Sequence, residues 1–370
     1  MSDSNLVVEI VQGDVLDYTA DVLALKYAQH YYGSDQAVCE MFLEKGVAAE
    51  NELKPSIGKH VWVDSSKNLR YQSVLLVGVP PLLEFGYLEI ENWARLALTL
   101  ITEHHPGGVH VAITLHGPGF GLDEIEALRA EVRGIINAAQ QAAGVSHVIR
   151  VSIVERNAAR VQLLQMEMSK IIADLDKSGA ELTDKTVPAS AEFDVALQRD
   201  IVVRCPLKLN LRRPEKALGA RSEAEMAVES AGLQSAAQVE NKPRAFVAMP
   251  FSQEMEDVFY YGIQNPVRQL GYICERVDQE VFIGDILEQV KMRIEKAEIV
   301  IADLTGANPN VYLEVGFAWG KGRPTLLIAN KKDDLKFDVR GQRCLKYQSI
   351  KDLEKQLTTE LKGLGLDRLP

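Results

Sequence analysis

The run Ile299-Val300-Ile301-Ala302-Asp303-Leu304-Thr305-Gly306 leaves few folds open to this chain, because Asn308-Pro309-Asn310 and Val311-Tyr312-Leu313-Glu314-Val315-Gly316-Phe317-Ala318-Trp319 follow at once. The first part is an unbroken apolar run ending in an acid and a tight turn, the pattern of a strand buried on both faces. The second has helical length, with an Asn suited to the cap and a Pro suited to the first helical position. A helix apolar on all sides is expected inside an α/β core, and Trp319 is read as part of that core. Glu314 is the only carboxylate in it. A carboxylate there is costly unless it is paired or its pKa rises. Glu314 and Asp303 are therefore candidate catalytic residues, since carboxylates are the groups that cleave bonds at a sugar carbon. A purely structural alternative stays open: Glu314 paired with Arg323 or Arg276, and Asp303-Leu304-Thr305-Gly306 a strand-ending turn.

Around this pair the pattern alternates. Strands are expected at 245–249, 272–276, 299–302, 325–328 and 344–347, with helices at 254–270, 283–296, 309–320 and 350–361. In the second helix Ile283, Ile286, Leu287, Val290 and Ile294 share one face. The order predicts a flavodoxin-like doubly wound parallel sheet over residues 243–370. In that topology ligands bind beyond the carboxyl ends of the strands, at the switch between the first and third. Those ends carry Met249-Pro250-Phe251-Ser252 and Asp303-Leu304-Thr305. Asn310 precedes Glu314 by one helical turn and shares its face, placed to orient it or a substrate hydroxyl.

Four blocks occur here in order: Ala245-Phe246-Val247-Ala248-Met249-Pro250-Phe251, then Val277-Asp278, then Ile301 through Ala318, then Gly322-Arg323-Pro324. Together they resemble the nucleoside 2-deoxyribosyltransferase and TIR-like superfamily over about the last third of the chain. The resemblance implies cleavage of an N-glycosidic bond, with the glutamate matching Glu314 attacking the anomeric carbon or supporting loss of the base. It implies that Asp303 binds ribose hydroxyls or assists the leaving base. It also implies that Pro250, Phe251 and Ser252 form the first-strand loop, with Ser252 near a phosphate. Phe251 is either a base-stacking ring or a core aromatic, and Asp278 either faces the pocket or caps a turn. Met249 stands where the deoxyribosyltransferases often carry Gly or Ala, which narrows that loop. The tyrosine that positions the nucleophile in some members is left open among Tyr260, Tyr261 and Tyr312.

Residues 1–173 also alternate. Strands are expected at 7–11, 22–25, 61–63, 74–78, 109–115 and 148–154, and helices at 88–104, 122–143 and 157–172. This argues for a second α/β unit with a mostly parallel sheet. Ile10-Val11-Gln12-Gly13-Asp14-Val15-Leu16 and Ala20-Asp21-Val22-Leu23-Ala24-Leu25 resemble the opening of a macro domain. That implies Asp14 contacts adenine. Lys26-Tyr27-Ala28 replaces the Asn-rich end of the second strand found in many ADP-ribose binders, so a macro-like fold without that ligand stays open. A Gly-rich loop holds Gly117, Gly119 and Gly121 between a strand and a helix, where amides can reach a phosphate or simply make a turn. His104, His105, His110 and His116 cluster in sequence but are not spaced as metal ligands. Residues 174–242 read as a connector, with a strand at 201–205 and helical composition at 215–238.

At 370 residues and net charge −11, the chain has length for two domains and lacks the basic surface that nucleic acids or acidic membranes require. Its four cysteines are far apart, giving no zinc or disulfide framework. No apolar run is long enough to span a membrane and no signal peptide is evident, so a cytoplasmic protein is expected. The expected activity is an N-glycosidase of NAD or another nucleotide, taken as substrate with no cofactor or metal. The N-terminal domain would regulate it by reading a nucleotide signal, as in bacterial immune effectors with TIR-like domains, and self-association is expected with it. Two alternatives remain: a non-catalytic nucleotide receptor or scaffold, and a salvage deoxyribosyltransferase.

Overall fold

β-Branched runs become strands wherever both faces find cover, and they do so in two separate sheets. The computed structural model describes residues 4–141, 148–177, 182–184, 207–211, 239, 241–277, 286–333, 336 and 339–365. They divide into two compact units, neither continuous in sequence. One comprises Met1–His116 with Ala127–Ala236, the other Gly117–Glu126 with Ala237–Pro370. The fold class is α/β in both.

The first unit is built on β1 (Ser4–Gln12), β2 (Val22–Tyr27), β3 (His60–Asp64), β4 (Ser73–Gly78), β5 (Val109–Ile113), β6 (Val148–Glu155), β7 (Leu182–Asp184) and β8 (Leu207–Leu211). Their order is β3-β4-β2-β5-β6-β1-β8-β7. The inner strands β4, β2, β5, β6 and β1 run parallel, while β3 and the β8–β7 pair are antiparallel. Leu6, Val8 and Ile10 on one face of β1 are buried, and so are Val7 and Val11 on the other, as a strand covered on both sides requires. The helices are α1 (Gly33–Glu44), α2 (Tyr87–His104), α3 (Glu124–Gln141) and α4 (Ala158–Lys177). Helix α1 was not expected. Its buried apolar residues are only Val38, Cys39 and Phe42, and its inner face also carries Asp35, neutralised by buried Lys26.

The second unit has five parallel strands: β9 (Arg244–Ala248), β10 (Ile273–Glu275), β11 (Ile299–Asp303), β12 (Thr325–Asn330) and β13 (Cys344–Tyr347). Their order, β10-β9-β11-β12-β13, is the doubly wound order expected from sequence. The expected helix at 254–270 is composite: α5 (Gln253–Asp257), a π-helical segment Val258–Gln264, then α6 (Asn265–Gln269). Next come α7 (Ile286–Lys296), α8 (Pro309–Gly320) and α9 (Ile350–Gly363).

One expectation is corrected. Helix α8 is not buried all round. Val311, Val315 and Ala318 face the core, but Leu313 is 60% exposed and Trp319, read as core, is 40% exposed. A helix laid on one face of a sheet has one side to bury, so all-round apolarity does not secure all-round cover. The expected strand at 201–205 and helix at 215–238 lie outside the described residues. No helix among the described residues is long and apolar enough to cross a membrane.

Candidate functional site

Parallel register places the two leading loops on one edge of the second sheet. β11 lies between β9 and β12, with Ala302 opposite Ala248 and Asp303 opposite Ile328. The loop after β9 (Met249, Pro250, Phe251, Ser252) and the turn after Asp303 therefore leave the carboxyl ends of adjacent strands. This is the switch point of the doubly wound fold.

Asp303 is fully buried, and both its oxygens are engaged. Oδ1 accepts from the Thr305 amide at 2.9 Å and the Thr305 hydroxyl at 2.5 Å, while Oδ2 accepts from the Tyr347 hydroxyl at 2.8 Å. The Thr305 hydroxyl in turn accepts from the Asn330 amide at 2.9 Å. Burial raises the Asp303 pKa, and the bonds from Thr305 and Tyr347 oppose that rise. Burial also lifts Tyr347, with the Asp303 charge adding to it. The turn is thus stapled to β13 through a carboxylate that solvent does not reach.

Glu314 is placed by a well-specified helix start. Asn308 caps α8 by accepting from the Asn310 amide at 2.9 Å, and Pro309 opens the helix. Glu314 is half-buried, with no hydrogen-bond or ion-pair partner among the described residues. Burial alone pushes its pKa to about 7. Neither arginine of the structural alternative pairs with it. Such a carboxyl is divided between its two forms near neutral pH, able to hold a proton or a negative charge. Asn310 is exposed on the same helix.

Pro250 and Phe251 are half-buried and Ser252 is exposed. Ser252 occupies the cap position of α5 without its side chain making a cap bond. Arg276, just beyond β10, is buried and lies over the rings of Phe259 at 4.0 Å and Phe251 at 5.3 Å. It donates to Glu256 at 2.9 Å. A guanidinium stacked in this way stiffens the loop that carries Phe251. Tyr260 is buried within the π-helical segment, Tyr261 is 49% exposed and Tyr312 is half-buried. Asp278 lies outside the described residues.

The N-terminal candidates fall in different places. Asp14 follows β1, caps its own turn by accepting from the Leu16 amide at 2.9 Å, and pairs with Arg156 at 2.9 Å. Gly117, Gly119 and Gly121 belong to the second unit. Gly121 has φ 91° there, and a side-chain carbon on it would meet Val277 at 2.7 Å. The helix start after this loop is already capped: Asp123 accepts from the amides of Ile125 at 3.0 Å and Glu126 at 3.2 Å. Three acids crowd it, with Asp123 held by Arg268 at 3.0 Å, Glu124 by Gln264 at 2.6 Å and Glu126 by Lys242 at 2.6 Å. Capped amides beside three carboxylates do not favour a phosphate, and Gly121 serves close packing against Val277, while the space around Gly119 is open.

Sequence reasoning missed Tyr347, and it offered Arg276 as a partner of Glu314, whereas the structure stacks it on Phe251 and Phe259. It also missed a buried pair in the first unit, His116 with Glu131, whose Nδ1 and Oε1 are 2.7 Å apart under the Trp93 ring. Burial pushes His116 down and Glu131 up. His104 packs on Trp62 at a helix end. Among the described residues no group of His, Cys, Asp and Glu is placed to hold a metal.

No protein-family model matches this chain, and no curated protein matches it. Solved structures similar to it include the macrodomain of Oceanobacillus iheyensis with ADP, 17% identical, covering 45% of this chain and 92% of that one at a TM-score of 0.33. The same macrodomain with MES bound is 16% identical, covering 45% of this chain and 93% of its own at 0.31. The CMP N-glycosidase BcmB of Clostridium botulinum is 20% identical, covering 32% of this chain and 99% of that one at 0.27.

Proposed function

We propose that the second unit hydrolyses the N-glycosidic bond of a nucleotide, with Glu314 as the reacting carboxylate. The observation that carries this reading is Glu314 itself. It is a half-buried acid with no partner among the described residues, its pKa pushed to about 7, on the helix that follows β11 at the switch point. The ionised carboxylate attacks C1′ as the bond from C1′ to the base nitrogen breaks. The base of a nucleoside monophosphate takes up a proton from solvent as it departs, while NAD loses neutral nicotinamide. Water then opens the glycosyl ester, its hydroxyl going to C1′ and its proton to solvent, which returns the Glu314 carboxylate and releases the sugar phosphate or ADP-ribose. Desolvation favours this chemistry, because a poorly solvated carboxylate stabilises the positive charge that develops at C1′. Asp303 positions the turn beside it through Thr305 and Tyr347. NAD and nucleoside monophosphates are the substrate candidates, and the first unit is assigned the role of reading a nucleotide signal.

The test is release of free base from NAD, CMP and a panel of nucleotides by the full chain, followed by chromatography. Glu314→Gln is expected to lower release by ~10²-fold or more. Unchanged release would sink the catalytic assignment. One observation favours a second reading. Asp303 is buried with both oxygens engaged by Thr305 and Tyr347, so the second candidate acid is held in the turn and not free to assist a leaving base. Recovery of an intact bound nucleotide after long incubation would decide for that receptor.

A further inference from the structure

We propose that Asp333, in the loop after β12, is a positioning residue that acts on Glu314 through the turn joining β11 to α8. That turn has a shape an L-chain seldom takes. Gly306 has φ 71°, and Ala307 follows it with φ 53°. Both are left-handed, and the second carries a side chain, for which that region is costly. Among the described residues only Gln29 shares with Ala307 a positive φ without being a glycine. Such a conformation persists where the surroundings hold it. Packing does not hold it at Gly306, where a side-chain carbon would meet nothing within 4 Å.

Hydrogen bonds do. The Ala307 amide donates to the Leu304 carbonyl at 3.0 Å, which closes the turn on itself. The Gly306 amide donates to Asp333 Oδ2 at 3.1 Å. Among the described residues this is the one hydrogen bond that ties the left-handed pair to another segment. Asp333 is itself anchored. Its amide donates to the Asn330 carbonyl at 3.0 Å, and its carbonyl accepts from the Lys346 ammonium of β13 at 2.5 Å. The same loop reaches α8 directly, the Lys336 amide donating to the Tyr312 hydroxyl at 3.4 Å. Tyr312 and Glu314 stand about 200° apart around the helix, so the loop holds α8 from the side away from Glu314. Asn308, the cap of α8, comes directly after Ala307. If the left-handed pair swung to right-handed, the start of α8 would turn with it, and Glu314 would leave its desolvated place. As a statement about catalysis the proposal rests on the hydrolase reading; as a statement about where Glu314 sits it does not.

Titration of Glu314 in the full chain tests it, followed by carboxylate NMR with the signal assigned by its loss in Glu314→Gln. The wild type is expected to titrate at about 7. Asp333→Ala is expected to move that value down toward the 4.5 of a solvated glutamate, in a chain whose melting shows it folded. Asp333→Asn removes the charge but keeps an acceptor for the Gly306 amide, and is expected to restore the wild-type value. Ala307→Gly supplies the second arm. Glycine meets no steric penalty in the left-handed region, so the shift caused by Asp333→Ala should shrink in that background. Base release should follow the same pattern in kcat, with KM little changed. A Glu314 titration that Asp333→Ala leaves in place overturns the proposal. So does an equal shift in Asp333→Asn, or an undiminished one in the Ala307→Gly background. The expected titration pattern in a chain that releases no base would leave the positioning role standing and overturn the hydrolase reading instead.

Discussion

Desolvation is the sole cause that moves Glu314, and it makes that residue a cost to the fold as well as a tool. Its pKa rises from 4.5 to about 7. The folded state therefore keeps a proton that the unfolded chain gives up, and stability falls as pH climbs from about 4.5 through 7. Glu314→Gln should stabilise the protein by about 1–3 kcal/mol at alkaline pH and leave it unchanged in acid, a difference that denaturant melts at two pH values would reveal. The same ionisation governs the proposed reaction. If Glu314 attacks as a carboxylate, base release rises as pH passes through about 7 and then levels; a rate that falls there instead would assign it the general-acid role. Substitution around Asp303 has the opposite sign, because that acid is hydrogen-bonded whereas Glu314 has no partner among the described residues. Tyr347→Phe removes the donor to Oδ2 and should cost about 1–2 kcal/mol, read by thermal unfolding. Both acids were legible in the sequence because each interrupts an apolar run. Tyr347 was not, since it lies 44 residues from the carboxylate it holds and no local pattern joins them. Arg276 was legible only as a cation that could pair with Glu314; its stacking depends on two rings, Phe251 and Phe259, supplied by other segments.

Elements were legible where one physical rule dominates. The strands of the second sheet, and their order, follow from apolar runs spaced by helix-length segments, since parallel neighbours require crossovers. Helix α1 was hidden because a charged pair, Lys26 with Asp35, sits on its buried side where apolar periodicity would have signalled it. The π-helical segment could not be seen either. It alters the hydrogen-bond step without altering composition, and such insertions often accompany functional sites. Close helix packing makes one element-level prediction sharp. In the first unit Gly134 of α3 lies against α2, and a side-chain carbon there would stand 2.3 Å from the Glu91 carbonyl oxygen. Helix propensity alone says Gly134→Ala stabilises by about 1 kcal/mol. Overpacking says it destabilises by about 1–3 kcal/mol or more. The second should win, and the melting temperature should drop.

At the scale of the molecule, the division of the chain matters most. Part of the second unit comes from far upstream: Gly117–Glu126 lies within it, with Asp123 accepting from the Cys274 amide at 3.2 Å and from Arg268. The fragment 243–370 should therefore be less stable than the same residues in the full chain, because Arg268 and the Cys274 amide lose a buried partner. A fragment melting as cooperatively, and as high, as the full chain would contradict this. Sequence alone could not show the arrangement, since the Gly-rich loop reads locally as an ordinary strand-to-helix turn. The interleaving also bears on ancestry. A single crossover between two genes exchanges everything on one side of a point. No such point in this chain separates the two units, because Gly117–Glu126 of the second lies between the two segments of the first. Shuffling that transplanted the tail of this chain onto another domain would deliver a second unit missing its own piece. The two units are thus heritable only together, and their partnership should travel through descent as one locus rather than as interchangeable modules.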